Sequence, residues 1–155
     1  MKNLKKFIII ILLCPLILIY GCGVINVSGK TFRFHKVTID WGLADNDTQQ
    51  TIFEENQVKD EQEFLAVLKT RNNRDTRFTT FGTDNKYTTK NNQNEILDSG
   101  YYKQDESVIT LADTVSGLSE SGAYTLIANE KGYIVTVKLN DEWKVFAQYH
   151  YTEQE

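Results

Sequence analysis

The second half of the chain alternates between apolar and polar residues in short runs, and turn-forming residues separate the runs. These turns fall at residues 82–85, 104–107, 129–132 and 140–141. A period of two is typical of antiparallel strands that have one face in a core and the other in water. From Thr76 onward the pattern therefore predicts about six or seven strands joined by short turns.

The last run, residues 142–151, shows the alternation most clearly. One predicted face carries Trp143, Val145, Ala147, Tyr149 and Tyr151, and the other carries Lys144, Gln148 and His150, with Phe146 as the exception. We expect a strand that is half buried.

The run at 29–41, "GKTFRFHKVTIDW", also alternates, but its apolar positions change parity. Phe32 and Phe34 lie on one parity, and the apolar residues from Val37 onward lie on the other. A two-residue period changes parity only where an extra residue is inserted, so we expect a β-bulge at residues 35–36. Bulges of this kind bend strands and help sheets to close into barrels.

Two stretches between these strands have helical character. Residues 45–56 predict a short helix, and residues 60–71 a better one, in which Asp60 is the N-cap and Glu63 stands at the capping-box position. Phe64, Leu65 and Leu68 supply its apolar stripe. Residues 85–95 and 113–122 are rich in Asn, Ser, Thr and Gly, and they predict exposed loops.

The order of these elements determines the fold class. A single strand precedes the helical stretches and all other strands follow them, with no internal repeat. Antiparallel sheets of this length close on themselves or pack face to face to remove their edges. We therefore predict a mainly β domain at residues 30–155, a small antiparallel up-and-down β-barrel with a short helical insertion after the first strand.

The N-terminus has the composition of a secretory signal. Lys2, Lys5 and Lys6 precede an apolar run at 7–20 that contains Pro15. As a helix this run would reach only about 21 Å, which is short of a hydrocarbon core of about 30 Å. A positive start followed by a short apolar region indicates a signal peptide, and an uncleaved anchor helix is the alternative.

The end of the run, Ile19-Tyr20-Gly21-Cys22, resembles the lipobox of bacterial lipoproteins. The resemblance implies a signal peptide at 1–21, lipid attachment to the Cys22 thiol, a short tether to residue 29 and an extracytoplasmic location on the cell membrane. No cysteine follows Cys22, so the domain cannot contain an internal disulfide.

The charge distribution disfavours nucleic acid as a partner. Three of the 17 basic residues lie in the predicted signal, so its removal would change the net charge from −4 to about −7. A local basic cluster is the exception, and it comprises Lys69, Arg71, Arg74 and Arg77. Such a cluster is either a solvated surface or a contact for an anionic envelope polymer or lipid headgroup.

With these elements in place, residues 29–151 resemble the lipocalin-like domains of bacterial lipoproteins, within the broader calycin barrels. The similar segments are "GKTFRFHKVTIDW", "GYYKQDESVITL" and the closing hairpins "GAYTLIANEKGYIVTVKLNDEWKVFAQY". The lipocalin signature Gly-x-Trp is absent near the first strand. The resemblance implies a small barrel with an apolar interior and, for many members, no defined activity.

The sequence shows no catalytic constellation. Its two histidines, His35 and His150, would need further ligands to hold a metal, and the serines of "SGLSESG" lie in a predicted loop without the strand and helix of a nucleophile elbow. We therefore expect a non-catalytic protein that uses neither a metal nor another cofactor.

Binding remains as the predicted role. An eight-stranded barrel is just wide enough to be filled by side chains or to hold one small ligand. One hypothesis is a membrane-anchored module for a small apolar or amphipathic molecule, and the other is a filled barrel that binds an envelope protein. The predicted interior or mouth residues are Phe32, Phe34, Phe78, Phe81, Tyr87, Tyr102, Tyr124, Trp143 and Tyr149.

Overall fold

The structure is a computed structural model that describes residues 23–121 and 123–154. Eight antiparallel strands form a closed barrel in chain order, as predicted, and the architecture is compatible with a lipocalin-like fold. The strands are β1 (Lys30–Asp40), β2 (Phe78–Phe81), β3 (Lys86–Lys90), β4 (Ile96–Asp105), β5 (Val108–Ala112), β6 (Tyr124–Ala128), β7 (Gly132–Asn140) and β8 (Val145–Glu153). The predicted signal peptide and Cys22 lie outside the described residues.

The first strand closes the barrel because it pairs with β2 on one side and β8 on the other. The β1–β8 register shifts between Phe34, which is opposite Tyr151, and Lys36, which is opposite His150. The predicted bulge at residues 35–36 is therefore confirmed, and it reconciles the two parities of β1 in one continuous strand.

The helical insertion follows β1, as predicted, and contains α1 (Asn46–Glu55), α2 (Glu61–Thr70) and a 3₁₀ segment (Arg71–Thr76). The Asp60 carboxylate accepts a hydrogen bond of 2.9 Å from the backbone N–H of Glu63, which confirms the predicted N-cap. The Glu63 carboxylate accepts from the backbone N–H of Lys59, one residue before the position used in a standard capping box.

Aromatic packing holds the insertion against the barrel. Trp41 follows β1, and its ring packs against Phe53 of α1 and Phe64 of α2 at centroid distances of 5.5 and 6.3 Å. Leu68 of α2 is fully buried, and its carbonyl accepts a 3.1 Å hydrogen bond from the hydroxyl of Tyr149, on the buried face of β8. The insertion is therefore anchored to side chains of the barrel interior.

The segment before β1 lies across the opposite end of the barrel. Val27 is fully buried, and its N–H donates to the Gln104 side chain at the end of β4. The side-chain NH₂ of Gln104 donates to the carbonyl of Ile25. The N–H of Ile25 in turn donates to the carbonyl of Asn129, just beyond β6. Residues 25–29 are thus part of the folded domain.

Two local predictions were wrong. The predicted loop at 85–95 contains β3, and only residues 91–95 connect β3 to β4; Thr88 and Thr89 have the β-branched side chains that suit a strand despite the surrounding asparagines. Trp143 lies in the turn at 141–144 rather than on β8. In that turn its backbone N–H donates to the side-chain oxygen of Asn140 at 2.9 Å. The other predicted members of that face are buried on β8.

Candidate functional site

Aromatic side chains fill the half of the barrel next to Val27. Phe32 and Phe81 are fully buried, with ring centroids 5.8 Å apart, and Tyr102 packs on Phe81 at 5.0 Å. The Tyr102 hydroxyl donates to the carbonyl of Gly82 in the β2–β3 turn. Phe32, Phe81 and Tyr102, which we predicted as interior residues, are therefore interior, but they pack as core.

Beyond this aromatic layer the barrel contains a cavity of about 280 Å³. Its apolar wall is formed by Leu111, Leu126 and Val135 from three successive parts of the sheet, β5, β6 and β7. Its remaining lining is polar and comprises Arg74, Arg77, Thr79, Thr89, Asp98, Tyr124, Tyr133 and Tyr151. The cavity, hereafter the barrel cavity, is thus amphipathic.

Tyr133 forms the boundary between the aromatic layer and the barrel cavity. Its ring packs on Phe32 and Phe81 at 5.4 and 5.8 Å and stacks on Tyr151 at 4.9 Å. Both tyrosines line the cavity as well. They therefore join the packed half of the barrel to the polar half.

Arg77 brings a buried donor that has no partner. The 3₁₀ segment delivers it to the barrel cavity just before β2. One terminal nitrogen, Nη2, donates to the carbonyl of Asn72 at 2.7 Å. Its Nε is buried and has no hydrogen-bond partner within the part of the chain that the structure describes. Because buried donors in native proteins are almost always paired, this unpaired N–H stands out among the polar groups of the cavity wall.

Arg74 is the second cation of the barrel cavity. Its guanidinium lies over the ring of Tyr149, 4.6 Å from the centroid, an arrangement that gives a cation–π interaction. Burial raises the pKa of Tyr124 and Tyr151, and the positive charge of Arg74 opposes both shifts. Among the described residues neither Arg74 nor Arg77 forms an ion pair with a carboxylate.

Asp98 is the carboxylate of the cavity wall, and it accepts a hydrogen bond from a neighbour. The hydroxyl of Tyr87 donates to its Oδ2 at 3.0 Å. Burial raises the pKa of Tyr87, and the hydrogen bond and negative charge of Asp98 raise it further. With two guanidinium groups against one carboxylate, the lining of the barrel cavity carries a net positive charge.

An outer groove of about 590 Å³ adjoins the cavity and shares Asp98, Leu111 and Tyr124 with it. Tyr124 begins β6 and is 49% exposed, so its side chain stands between the cavity and solvent. The groove also includes Asp113 and Glu120 from the predicted loop at 113–122, which contains a short 3₁₀ turn at Ser116–Ser119.

The structure divides the predicted basic cluster. Arg74 and Arg77 line the barrel cavity, whereas Lys69 and Arg71 are exposed on the outside. Arg71 donates from Nη2 to the side-chain oxygen of Asn56 at 3.2 Å. The four cations therefore do not form one surface patch.

The predicted aromatic lining is also divided. Among the nine predicted residues, Tyr124 lines the barrel cavity, and Tyr87 lies in the outer groove. Phe78 faces outward beneath Arg33, and Phe34 is half-buried against Tyr151. Tyr149 is buried beneath Arg74, and Trp143 lies in its turn, as described above.

Sequence reasoning missed Tyr133, Tyr151, Leu126 and Val135 as cavity residues. The alternation along the strands could have identified two of them. Tyr151 lies on the same face of β8 as its other buried residues, and Leu126 lies on the same face of β6 as the buried Ala128.

The two histidines border a separate groove of about 540 Å³ beside Gly23 and Val24. His150 Nε2 lies 2.9 Å from the hydroxyl oxygen of Thr38. Burial lowers the pKa of His150, and the nearby charges of Lys36 and His35 lower it further. Residues 23–121 and 123–154 contain no cluster of three or more His, Cys, Asp or Glu side chains arranged to hold a metal ion.

Comparisons of the chain with protein-family models, with curated proteins and with solved structures found no match. Within the residues that the structure describes, no helix has the length and apolar character needed to cross a membrane.

Proposed function

We propose that this chain is a lipid-anchored extracytoplasmic binding protein that holds a small amphipathic molecule in its barrel and performs no catalysis. The observation that carries the proposal is the barrel cavity, an unfilled space in a barrel whose other half is tightly packed.

The volume of the barrel cavity suits a small ligand. About 280 Å³ is the space of about nine water molecules, and it lies just below the usual range for ligand pockets of about 300–1,000 Å³. A molecule of about ten non-hydrogen atoms would fit. Leu111, Leu126 and Val135 would contact its apolar part, and the arginine and tyrosine side chains would contact its polar part.

The lipobox resemblance supports the anchor, and the hydrogen bonds of Ile25 bound the length of its tether. Because Ile25 is already hydrogen-bonded to the barrel, only Gly23 and Val24 separate it from Cys22. At about 3.5 Å per residue, Cys22 would lie within roughly 11 Å of the docked segment. β6 ends beside this segment and begins at Tyr124, so the cavity entrance would face away from the membrane.

Mass spectrometry of the membrane fraction tests the anchor. We expect the chain to begin at a diacylated Cys22, and we expect Cys22→Ser to remain unprocessed and without lipid. An intact Met1 or an unmodified Cys22 in the wild-type protein would contradict this part of the proposal.

Filling the barrel cavity tests the binding role. Leu126→Trp places a large side chain in the cavity, and its matched control, Ile127→Trp, adds the same side chain at the adjacent position, which is 45% exposed. We expect native mass spectrometry to detect a co-purified small molecule on wild type and on Ile127→Trp, and none on Leu126→Trp. Equal occupancy in both variants would contradict binding in the cavity.

In the alternative function, this chain has a filled barrel and binds an envelope protein through its outer surface or loops. The aromatic packing of Phe32, Phe81 and Tyr102 favours it, because half of the interior is indeed filled. Crosslinking in intact cells distinguishes the two functions. A reproducible protein partner that Leu126→Trp still captures, with no ligand on wild type, would favour the alternative.

A further inference from the structure

We propose that the barrel cavity is an anion site, in which Arg77 and Arg74 bind the carboxylate or phosphate group of an amphipathic ligand. This inference rests on the proposed function, because it names the chemical class of the molecule that the cavity would hold.

The first argument is the unpartnered donor. A guanidinium has five N–H donors, and the Nε of Arg77 is buried without a hydrogen-bond partner in the described part of the chain, although Nη2 is bonded to Asn72. An anionic oxygen is the strongest acceptor for such a donor, and carboxylates and phosphates match the planar geometry of arginine. Because Nε is buried from solvent, the Arg77 side chain would turn slightly on binding, and a ligand anion would then satisfy the donor that the described residues leave unpaired.

The second argument is the hydrogen-bonded backbone that presents these cations. Asn72 and Asn73 adopt left-handed conformations, with φ of 56° and 52°, inside the 3₁₀ segment. The hydroxyl of Thr76 donates to the carbonyl of Asn73 at 2.9 Å, and the N–H of Arg77 donates to the carbonyl of Arg74 at 3.2 Å. These hydrogen bonds fix the backbone that carries the two arginines before any ligand arrives, which lowers the entropic cost of binding.

The third argument is the balance of charges and donors in the lining. Asp98 is the one acidic residue that lines the barrel cavity in the described part of the chain, and it already accepts a hydrogen bond from Tyr87. Tyr124, Tyr133 and Tyr151 bring further hydroxyl groups to the same space. An ammonium ligand would face two guanidinium groups, whereas an anion would be attracted by them.

The apolar wall explains why the ligand would be amphipathic. Leu111, Leu126 and Val135 offer no hydrogen-bonding side chain. A free inorganic anion would leave this wall in contact with water or empty space. An alkyl chain attached to the anion would cover it, with a gain that is proportional to the apolar area removed from water.

Four probes with the same eight-carbon chain isolate the contribution of charge: octanoate, octyl phosphate, octanol and octylamine. Each is titrated calorimetrically into the full chain in phosphatidylcholine nanodiscs, with empty discs as the blank. We expect at least one of the two anions to bind about tenfold or more tightly than octanol and octylamine. Tighter binding of octanoate would assign a carboxylate ligand, and tighter binding of octyl phosphate a phosphate ligand.

Variants of the basic cluster locate the site. Arg77→Met should weaken binding of the preferred anion about tenfold or more and leave octanol unchanged. Arg71→Met is the matched control, since it removes the same charge from the outside of the domain, and it should leave both unchanged. Near-UV circular dichroism verifies that each variant is folded.

Binding to the wild type at rising salt gives a test without mutation, because only the anion should lose affinity.

The outcomes separate this inference from the proposed function. If octanol binds as tightly as both anions, and Leu126→Trp abolishes that binding, the cavity binds ligands and the anion site is overturned. If Arg77→Met leaves anion affinity unchanged in a folded protein, the anion site is likewise overturned. If no probe binds to wild type, the binding function fails and this inference fails with it.

Discussion

Replacing Phe64 with alanine tests whether the helical insertion is held on the barrel by its aromatic cluster. Phe64 is 1% exposed, and its ring lies 5.9 Å from Phe53 and 6.3 Å from Trp41. Truncating a phenylalanine in a core costs about 3–5 kcal/mol of the free energy of unfolding. A small cavity of about 60 Å³ already borders Phe64, and it gives its neighbours room to relax. We therefore expect the lower end of that range, about 3 kcal/mol.

Urea unfolding followed by circular dichroism measures this loss. With a denaturant dependence of about 1.5 kcal/mol per molar urea, the midpoint should fall by about 2 M. Val67→Ala is the matched control, because Val67 lies on the same helix and is 39% exposed. We expect it to cost less than about 1 kcal/mol. A loss for Phe64→Ala below about 1.5 kcal/mol, or equal to that of the control, would refute the reasoning.

The same structure makes three further predictions. Tyr149→Phe removes the hydroxyl that donates to Leu68 and should cost about 0.5–1.5 kcal/mol of the free energy of unfolding in urea, with an unchanged denaturant dependence. Gly132→Ala should prevent correct closure of β7 on β8, since an added Cβ would overlap the carbonyl oxygen of Tyr151, and the expected result is loss of cooperative unfolding. Burial raises the pKa of Tyr133, so the folded state keeps this phenol neutral while the unfolded phenol ionises near pH 10. Stability from this group is complete below about pH 10 and falls above it by up to about 1.4 kcal/mol per pH unit, which urea unfolding at pH 9, 10 and 11 measures.

Each of these predictions has its own contradicting result. Tyr149→Phe as stable as wild type would show that the Leu68 contact contributes nothing. A folded Gly132→Ala protein with a wild-type melting curve would mean that β7 and β8 are not as close as described. For the alkaline effect the comparison is Tyr133→Phe, which should lose part of the decline above pH 10; an identical decline in both proteins would rule out Tyr133 as its source.

Most of the barrel could be predicted from the sequence, because apolar and polar residues alternate with a period of two along its strands. The parity change between Phe34 and Val37 predicted a bulge, and the register of β1 and β8 shifts there. Short turns after β2, β4 and β6 contained the usual turn residues and were placed correctly. These features depend on local pattern, which one sequence displays in full.

The lining of the barrel cavity could not be predicted from the sequence, because it depends on the direction in which the 3₁₀ segment places Arg74 and Arg77. Arg74 and Arg77 were grouped with surface cations, since arginine is seldom buried. The left-handed conformations of Asn72 and Asn73 help to set the course of the 3₁₀ segment that carries both arginines to the interior. Asparagine tolerates this conformation better than most residues, so the Asn-Asn pair was a signal, but its direction depends on tertiary packing.

The docking of residues 25–29 on the barrel was also not predicted. Residues 23–29 are three aliphatic and four small or polar residues without a periodic pattern, and we predicted a tether there. Val27 is nevertheless fully buried, because the end of the barrel offers an apolar site and the Gln104 side chain hydrogen-bonds the N–H of Val27 and the carbonyl of Ile25. Burial of a single side chain by a distant element leaves no periodic signal in the sequence.

The most direct test of the anion site observes the Nε–H group of Arg77 itself. The chain has four arginines, so a ¹⁵N–¹H spectrum of the full chain in nanodiscs has four Nε–H resonances to assign, and the Arg77 signal is the one missing from Arg77→Lys. We predict that whichever of octanoate and octyl phosphate binds more tightly shifts the Arg77 signal in a saturable way, that octanol does not, and that the Arg71 signal stays in place. An Arg77 signal that remains unchanged while that anion binds elsewhere would contradict the account.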